Sequence, residues 1–342
     1  MKRGRSIAAI CRYGNEHGWG HLTRTAALMS EARQRGWRTS LWTASECGEL
    51  SGDRLEAFGA VERLERYDFE GISKRRLVAD ALFIDEMYLP DSFFESARRY
   101  SDSIGSKLIA MDDMRQRSMA SVDMVVNVEL GLRKANYESP QEALGESYCL
   151  LRSGFRNPRK QGWAKDRDGI PVLIMVGGTD PKMNGLRVLE ALQRLSMNGR
   201  SFAPVYISGE GRGRQKIDEA LEKFPKHRLE VGANDRVLAE WMSRCEFGVI
   251  GCGSSVYECA ALQRPFVGLL VADNQERTAE AIARLWKLPV ARCYENDSPT
   301  EAIEEAIARL LARLESGARF DFGTVDPFGS ARLMDRIESL FE

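Results

Sequence analysis

Ile7-Ala8-Ala9-Ile10-Cys11 runs into Arg12-Tyr13-Gly14-Asn15-Glu16-His17-Gly18-Trp19-Gly20-His21-Leu22-Thr23-Arg24, and this stretch decides the fold. The apolar run reads as a strand buried on both faces, and helical periodicity follows over residues 22–34. Gly14, Gly18 and Gly20 permit close backbone approach and stop where the helix begins, so the loop can hold an anion or polar ligand at a helix N-terminus. The spacing is not the Gly-x-Gly-x-x-Gly dinucleotide fingerprint. His21 falls on the first helical turn at the carboxyl end of the strand, where a rigidly mounted imidazole can act as general base. A capping or packing histidine is the competing reading. His17, in mid-loop, is less firmly placed.

Working outward, strand-like runs recur at residues 39–42, 82–85, 108–111 and 124–128, several ending in acidic or polar residues. A second alternation begins at 172–176 and continues at 205–208, 229–231, 247–250 and 266–270. Helical segments are expected at 185–195, 215–223, 236–243, 256–262 and 275–285, then at 302–314 and 331–340. Between the two series, residues 152–167 hold six basic residues, one Pro and two Gly, and the linker is expected at about 153–168. The reading is an α/β protein of two Rossmann-like doubly wound domains with a cleft between them. Residues 1–155 are expected to form the first domain, residues 168–325 the second, and residues 326–342 a closing helix.

The 342 residues suit about two domains. With 49 basic and 50 acidic residues the formal net charge is −1, so no overall field attracts nucleic acid or an anionic membrane. No apolar run approaches the roughly 20 residues of a membrane helix and residues 6–11 are no signal peptide, so a cytoplasmic location is expected. The 7 cysteines are odd in number and lack Cys-x-x-Cys spacing, which argues for buried reduced thiols and against disulfides or a zinc site. Only His17, His21 and His227 can supply an imidazole. No metal or cofactor is expected, and the oligomeric state is not legible.

In the second half, Gly177-Gly178-Thr179-Asp180-Pro181 follows an apolar run, and the next helix start can receive a phosphate. A tight strand-to-helix turn would look similar. Gly251-Cys252-Gly253-Ser254-Ser255 precedes a helix carrying Glu258. Hydroxyls and N-terminal amides there suit a diphosphate, and the carboxylate suits both hydroxyls of a ribose. The alternative role of Glu258 is to favour the helix dipole. Asn274 and Gln275 could bond a uracil edge or substrate, or Asp273 or Asn274 could cap a helix. In the first half, Ile84-Asp85-Glu86-Met87-Tyr88 and Asp112-Asp113 put acids at strand ends, suited to hydrogen bonds with a sugar or with His21. Adjacent strand residues point apart, which disfavours a metal pair.

Together, Gly-Trp-Gly-His21-Leu-Thr-Arg24, Ile84-Asp85, Asp112-Asp113, Leu151-Arg152, Gly177-Gly178-Thr179-Asp180-Pro181 and Ser254-Ser255-x-x-Glu258 resemble the nucleotide-sugar hydrolases of pseudaminic acid biosynthesis and the related spore-coat polysaccharide proteins. The resemblance spans nearly the whole chain. It implies a GT-B architecture and hydrolysis of UDP-2,4-diacetamido-2,4,6-trideoxy-β-L-altropyranose or a similar UDP-sugar at the anomeric C–O bond, with inversion and release of UDP. It further implies His21 as the base that activates water. Glu258, Asn274 and Gln275 would be nucleotide or substrate contacts, with Tyr88, Arg12, Gly20, Arg24 and Asp85 on the sugar side. Gly177, Gly178, Thr179, Gly253, Ser254 and Ser255 would line the nucleotide. The chain departs from the family at Tyr13-Gly14-Asn15-Glu16-His17, where serine is usual, and at Asp326-Pro327-Phe328-Gly329 ahead of the last helix. The same fold would serve an inverting glycosyltransferase, in which an alcohol replaces water, or a nucleotide-sugar binding protein without catalysis.

Overall fold

The computed structural model describes residues 4–14, 19–50, 52–86, 89–115, 117–157, 169–177, 180, 182–208, 214–294 and 296–342. The chain divides into two compact units, Met1–Ser153 with Pro327–Glu342, and Gly154–Asp326.

The first unit runs β1 (Ser6–Ile10), α1 (Gly20–Gln34), β2 (Arg38–Ala44), α2 (Gly52–Glu56), β3 (Ala60–Leu64), α3 (Phe69–Lys74), β4 (Ala81–Ile84), α4 (Asp91–Ile104), β5 (Lys107–Met111), β6 (Met124–Asn127) and β7 (Gln141–Leu144). The second runs β8 (Ile170–Met175), α5 (Asn184–Met197), β9 (Phe202–Ser208), α6 (Arg214–Leu221), β10 (Arg228–Val231), α7 (Asp235–Arg244), β11 (Phe247–Gly251), α8 (Ser255–Ala261), β12 (Phe266–Leu270), α9 (Glu276–Ala281), β13 (Val290–Arg292) and α10 (Pro299–Glu315). The closing helix α11 (Gly329–Ser339) belongs to the first unit.

Both sheets are parallel, ordered β3-β2-β1-β4-β5-β6-β7 and β10-β9-β8-β11-β12-β13. Each is therefore Rossmann-like, and its order reverses once, between β1 and β4 or between β8 and β11. Open sheets of this kind leave a crevice at the carboxyl ends of the two strands flanking the reversal. The apolar continuity of β1 has a direct cause. Ile7 and Ala9 join the core formed with Leu22, Leu28 and Leu333, while Ala8 and Ile10 join that of Phe69, Phe93 and Phe94 on the opposite face.

Three strands escape the sequence reading, namely β3, β7 and β13. All lie at sheet edges, where one neighbour suffices and charged residues such as Glu62 and Arg63 replace the apolar run. The segment expected as one helix over 275–285 is α9 followed by one π turn, Ile282–Trp286, closed by left-handed Lys287. Of the expected linker, residues 158–168 lie outside the described residues.

Helix α11 lies on α1, burying Leu333, Met334 and Ile337 in the core of the first unit. Arg35 forks onto Asp335 at 2.7 Å and Glu338 at 3.0 Å, and Trp37 Nε1 donates to Glu338 at 3.1 Å. A Cβ at Gly329 would stand 2.1 Å from the carbonyl oxygen of Cys149, so the start of α11 admits no larger residue without a shift. All seven cysteines are buried, and none is in a disulfide. Among the described residues no helix is long and apolar enough to cross a membrane.

Candidate active site

In the first unit, β1 delivers the chain to α1, whose first two residues are Gly20 and His21. Trp19 precedes the helix and stands against Tyr13, with ring centroids 5.6 Å apart, and its carbonyl accepts the Thr23 hydroxyl at 2.8 Å. These contacts set where α1 begins. Residues 21, 24 and 25 then share one helix face by their i, i+3, i+4 spacing. That face meets Asp85, the first residue after β4, at the reversal of strand order.

Asp85 is fully buried and accepts four groups. His21 Nδ1 lies 2.7 Å from its Oδ1, Arg24 Nε 2.7 Å and Thr25 Oγ1 3.0 Å from its Oδ2, and Arg24 Nη2 also bonds Oδ1. Arg24 reaches onward to Asp113, after β5, with Nη1 to Oδ1 at 3.0 Å and Nη2 to Oδ2 at 2.7 Å. Arg24 Nη2 is also 3.1 Å from His21 Nδ1. Both Nη2 hydrogens already point at carboxylate oxygens, so this last contact is not a hydrogen bond. His21 Nδ1 must itself carry the proton and donate to Asp85. The lone pair then sits on Nε2, which has no partner among the described residues. Despite the opposing effect of burial, Arg24 first and His21 second hold the Asp85 carboxyl well below the usual carboxylate range. The two carboxylates raise Arg24 well above its ordinary value against the same burial.

Arg24, read from the sequence as a sugar-side residue, directs its donors to Asp85 and Asp113. Of the two partners that the sequence left open for Asp85, a sugar or His21, the structure shows His21. Thr25 is the member the motif reading did not place, and Asp113, read there as a strand-end acid, meets Arg24. The helical spacing from His21 could have flagged Thr25.

Arg12, beside the same reversal, is tied to Glu86. Its backbone N–H donates at 2.6 Å, its Nε at 3.1 Å and its Nη2 at 3.2 Å. Tyr67 donates to the same carboxylate at 2.8 Å, and the guanidinium lies over the Tyr67 ring at 5.2 Å. Asp112 accepts the Tyr137 hydroxyl at 2.9 Å. His17 and Tyr88 lie outside the described residues.

In the second unit, Gly177, residues 251–255 and the Asn274-Gln275 pair follow β8, β11 and β12, three adjacent strands. The pairing of β8 with β11 marks the reversal. Gly177 has φ +125°, in the range glycine favours. The Gln275 amide nitrogen stands 4.0 Å from where a Gly253 Cβ would lie, so Gly253 and Gln275 share one edge. Gln275 Oε1 accepts from the Val271 backbone at 3.3 Å. Gly253, Ser254 and Asn274 are exposed, Ser255 is half-buried, and Glu258 is only 3% exposed. The start of α5 is not open to phosphate as expected. The Asp180 carboxylate already accepts the backbone N–H groups of Asn184 at 2.9 Å and Gly185 at 2.7 Å. Gly178 and Thr179 lie outside the described residues.

No family model matches the chain, and no curated protein matches it. Among solved structures it is similar to MurG of Acinetobacter baumannii, at 12% identity over 98% of this chain and 100% of that one, with a TM-score of 0.66. S. aureus MnaA, solved with UDP, is 11% identical over 98% and 97% of the two chains, with a TM-score of 0.65. UGT71G1 of Medicago truncatula, solved with UDP-glucose, is 10% identical over 98% of each chain, with a TM-score of 0.59. At such identities the likeness is one of fold, and the fold is that of the GT-B proteins, an α/β architecture of two Rossmann-like units.

Proposed function

We propose that the protein is an enzyme acting on a UDP-activated amino sugar, which it hydrolyses at the anomeric C–O bond with inversion. The observation that carries this reading is the His21–Asp85 pair, with Nδ1 donating at 2.7 Å and Nε2 left to accept a proton. In the reaction, water loses a proton to His21 Nε2 as its oxygen bonds to the anomeric carbon. The bond from that carbon to the diphosphate oxygen breaks, and its electron pair leaves with UDP. The backbone at Gly253 and the hydroxyls of Ser254 and Ser255 receive the diphosphate, Glu258 takes the ribose, and Asn274 and Gln275 take the uracil or sugar. The UDP bound to S. aureus MnaA and the UDP-glucose bound to UGT71G1, on the same fold, support the choice of ligand class. The resemblance of the Gly-Trp-Gly-His21 segment to the pseudaminic acid hydrolases supports water as acceptor.

The test is incubation with UDP-, CMP- and GDP-sugars without acceptor, followed by separation of nucleotide and free sugar. UDP and a sugar of inverted anomeric configuration are expected. Turnover appearing only when a sugar alcohol is added would assign glycosyl transfer instead, and binding without turnover would assign a carrier. A second expected outcome concerns the nucleotide. Glu258→Ala should weaken UDP binding about 5- to 150-fold in calorimetry, the scale of a lost hydrogen bond to a charged group of roughly 1 to 3 kcal/mol. Unchanged affinity in a folded variant removes Glu258 from the site.

A further inference from the structure

We infer that Asp113, acting through Arg24, sets the basicity of His21 without touching the ring, so that both are positioning residues for the base. The inference rests on the reading of His21 as general base. Its ground is the chain of contacts from the ring to Asp85, from Asp85 to Arg24 and from Arg24 to Asp113. Asp85 is fully buried, the Arg24 side chain is 14% exposed and that of Asp113 25%. With the ring neutral, these two carboxylates and one guanidinium carry a single net negative charge. When the ring takes the proton of water, the chain becomes neutral, which an enclosed site of low dielectric favours. Were Asp113 uncharged, Asp85 and Arg24 would already neutralise each other, and protonation would create an uncompensated charge. Were Arg24 uncharged, two carboxylates would face the ring side unopposed.

Among the described residues, the remaining groups around the pair do not upset this balance. Thr25, on α1, is a neutral donor to Asp85. Cys11, after β1, is pushed up by burial foremost, then by Asp85 and Glu86, and stays a thiol. Arg12 and Glu86, after β1 and β4, form a closed ion pair. The Tyr67 hydroxyl is pushed up chiefly by burial and stays neutral. Asp112, after β5, is turned to Tyr137.

The balance predicts effects of opposite sign. In the full-length protein, the His21 ring is followed by NMR across pH, its resonance identified by loss in His21→Asn. Asp113→Asn should move the ring's titration to lower pH, and Arg24→Gln should move it to higher pH. The acid limb of kcat/KM should move with each. Asp113→Glu, which restores the charge, should return both towards wild type. A merely structural role would move both variants the same way or leave the ring unmoved, and either result overturns the inference. Should Arg24→Gln fail to fold, Asp113→Asn against Asp113→Glu decides: separate titrations support it and coincident ones sink it. The NMR readout needs no substrate. Shifts as expected without turnover on any nucleotide sugar would remove the proposed function alone, whereas turnover with an unmoved ring would remove this inference alone.

Discussion

His21→Ala and His21→Asn are expected to fold, to keep wild-type UDP affinity and to lose turnover by about two to four orders of magnitude, the usual contribution of a general base. The split between binding and rate follows from the assignment of UDP to the Gly251–Ser255 edge of β11 and α8 in the other unit. A rate effect with no loss of nucleotide affinity marks a group that acts on the attacking water. Activity assays beside calorimetry measure both halves. Comparable turnover in the His21 variants would take the base out of the mechanism. His17→Ala should be milder, and a loss confined to that variant would move the base to the loop.

The second large effect is expected at Asp85. Asp85→Ala leaves Arg24 with Asp113 alone and Thr25 without its acceptor in an enclosed site. Breaking one side of a buried charge pair costs about 3 to 5 kcal/mol, readable by urea denaturation at neutral pH. Asp85→Asn keeps the volume but offers His21 an amide in place of a full acceptor. The ring can then adopt the tautomer with its proton on Nε2, where it cannot accept from water, and a loss of up to about 10⁴ in turnover is expected. The pH dependence has a defined sign. The Asp85 carboxyl is held well below the usual range in the folded protein, foremost by Arg24 and then by His21 against the effect of burial. Its stabilisation is therefore fully present above the ordinary carboxylate value of about 4 and is lost progressively on acidification below it. The stability gap between wild type and Asp85→Asn should narrow over that acid range. A gap that is constant with pH would show that the ionised carboxylate is not what holds α1 to β4.

The sequence by itself determined the fold class. Runs such as Ile7-Ala8-Ala9-Ile10 carry apolar side chains on both faces, and only a sheet covered on both sides buries them all. It also determined where chemistry should be sought, since glycine-rich segments after β1 and β11 lead directly into helices. Edge strands β3, β7 and β13 were not legible, because a strand with one neighbour and a wet face does not need the apolar run that betrays a central one. The tertiary structure alone decided which acid serves His21. Asp85 and Glu86 are chemically equivalent neighbours in the sequence, as are Asp112 and Asp113. Successive residues at a strand end face opposite ways, so one of each pair turns towards α1 and the other away: Asp85 to His21, Glu86 to Arg12 and Tyr67, Asp113 to Arg24, Asp112 to Tyr137. The order of residues cannot make that choice, because the partners stand 64 residues apart for His21 and Asp85 and 89 for Arg24 and Asp113. Only the parallel pairing of β1 with β4 and of β4 with β5 brings them to one edge of the sheet.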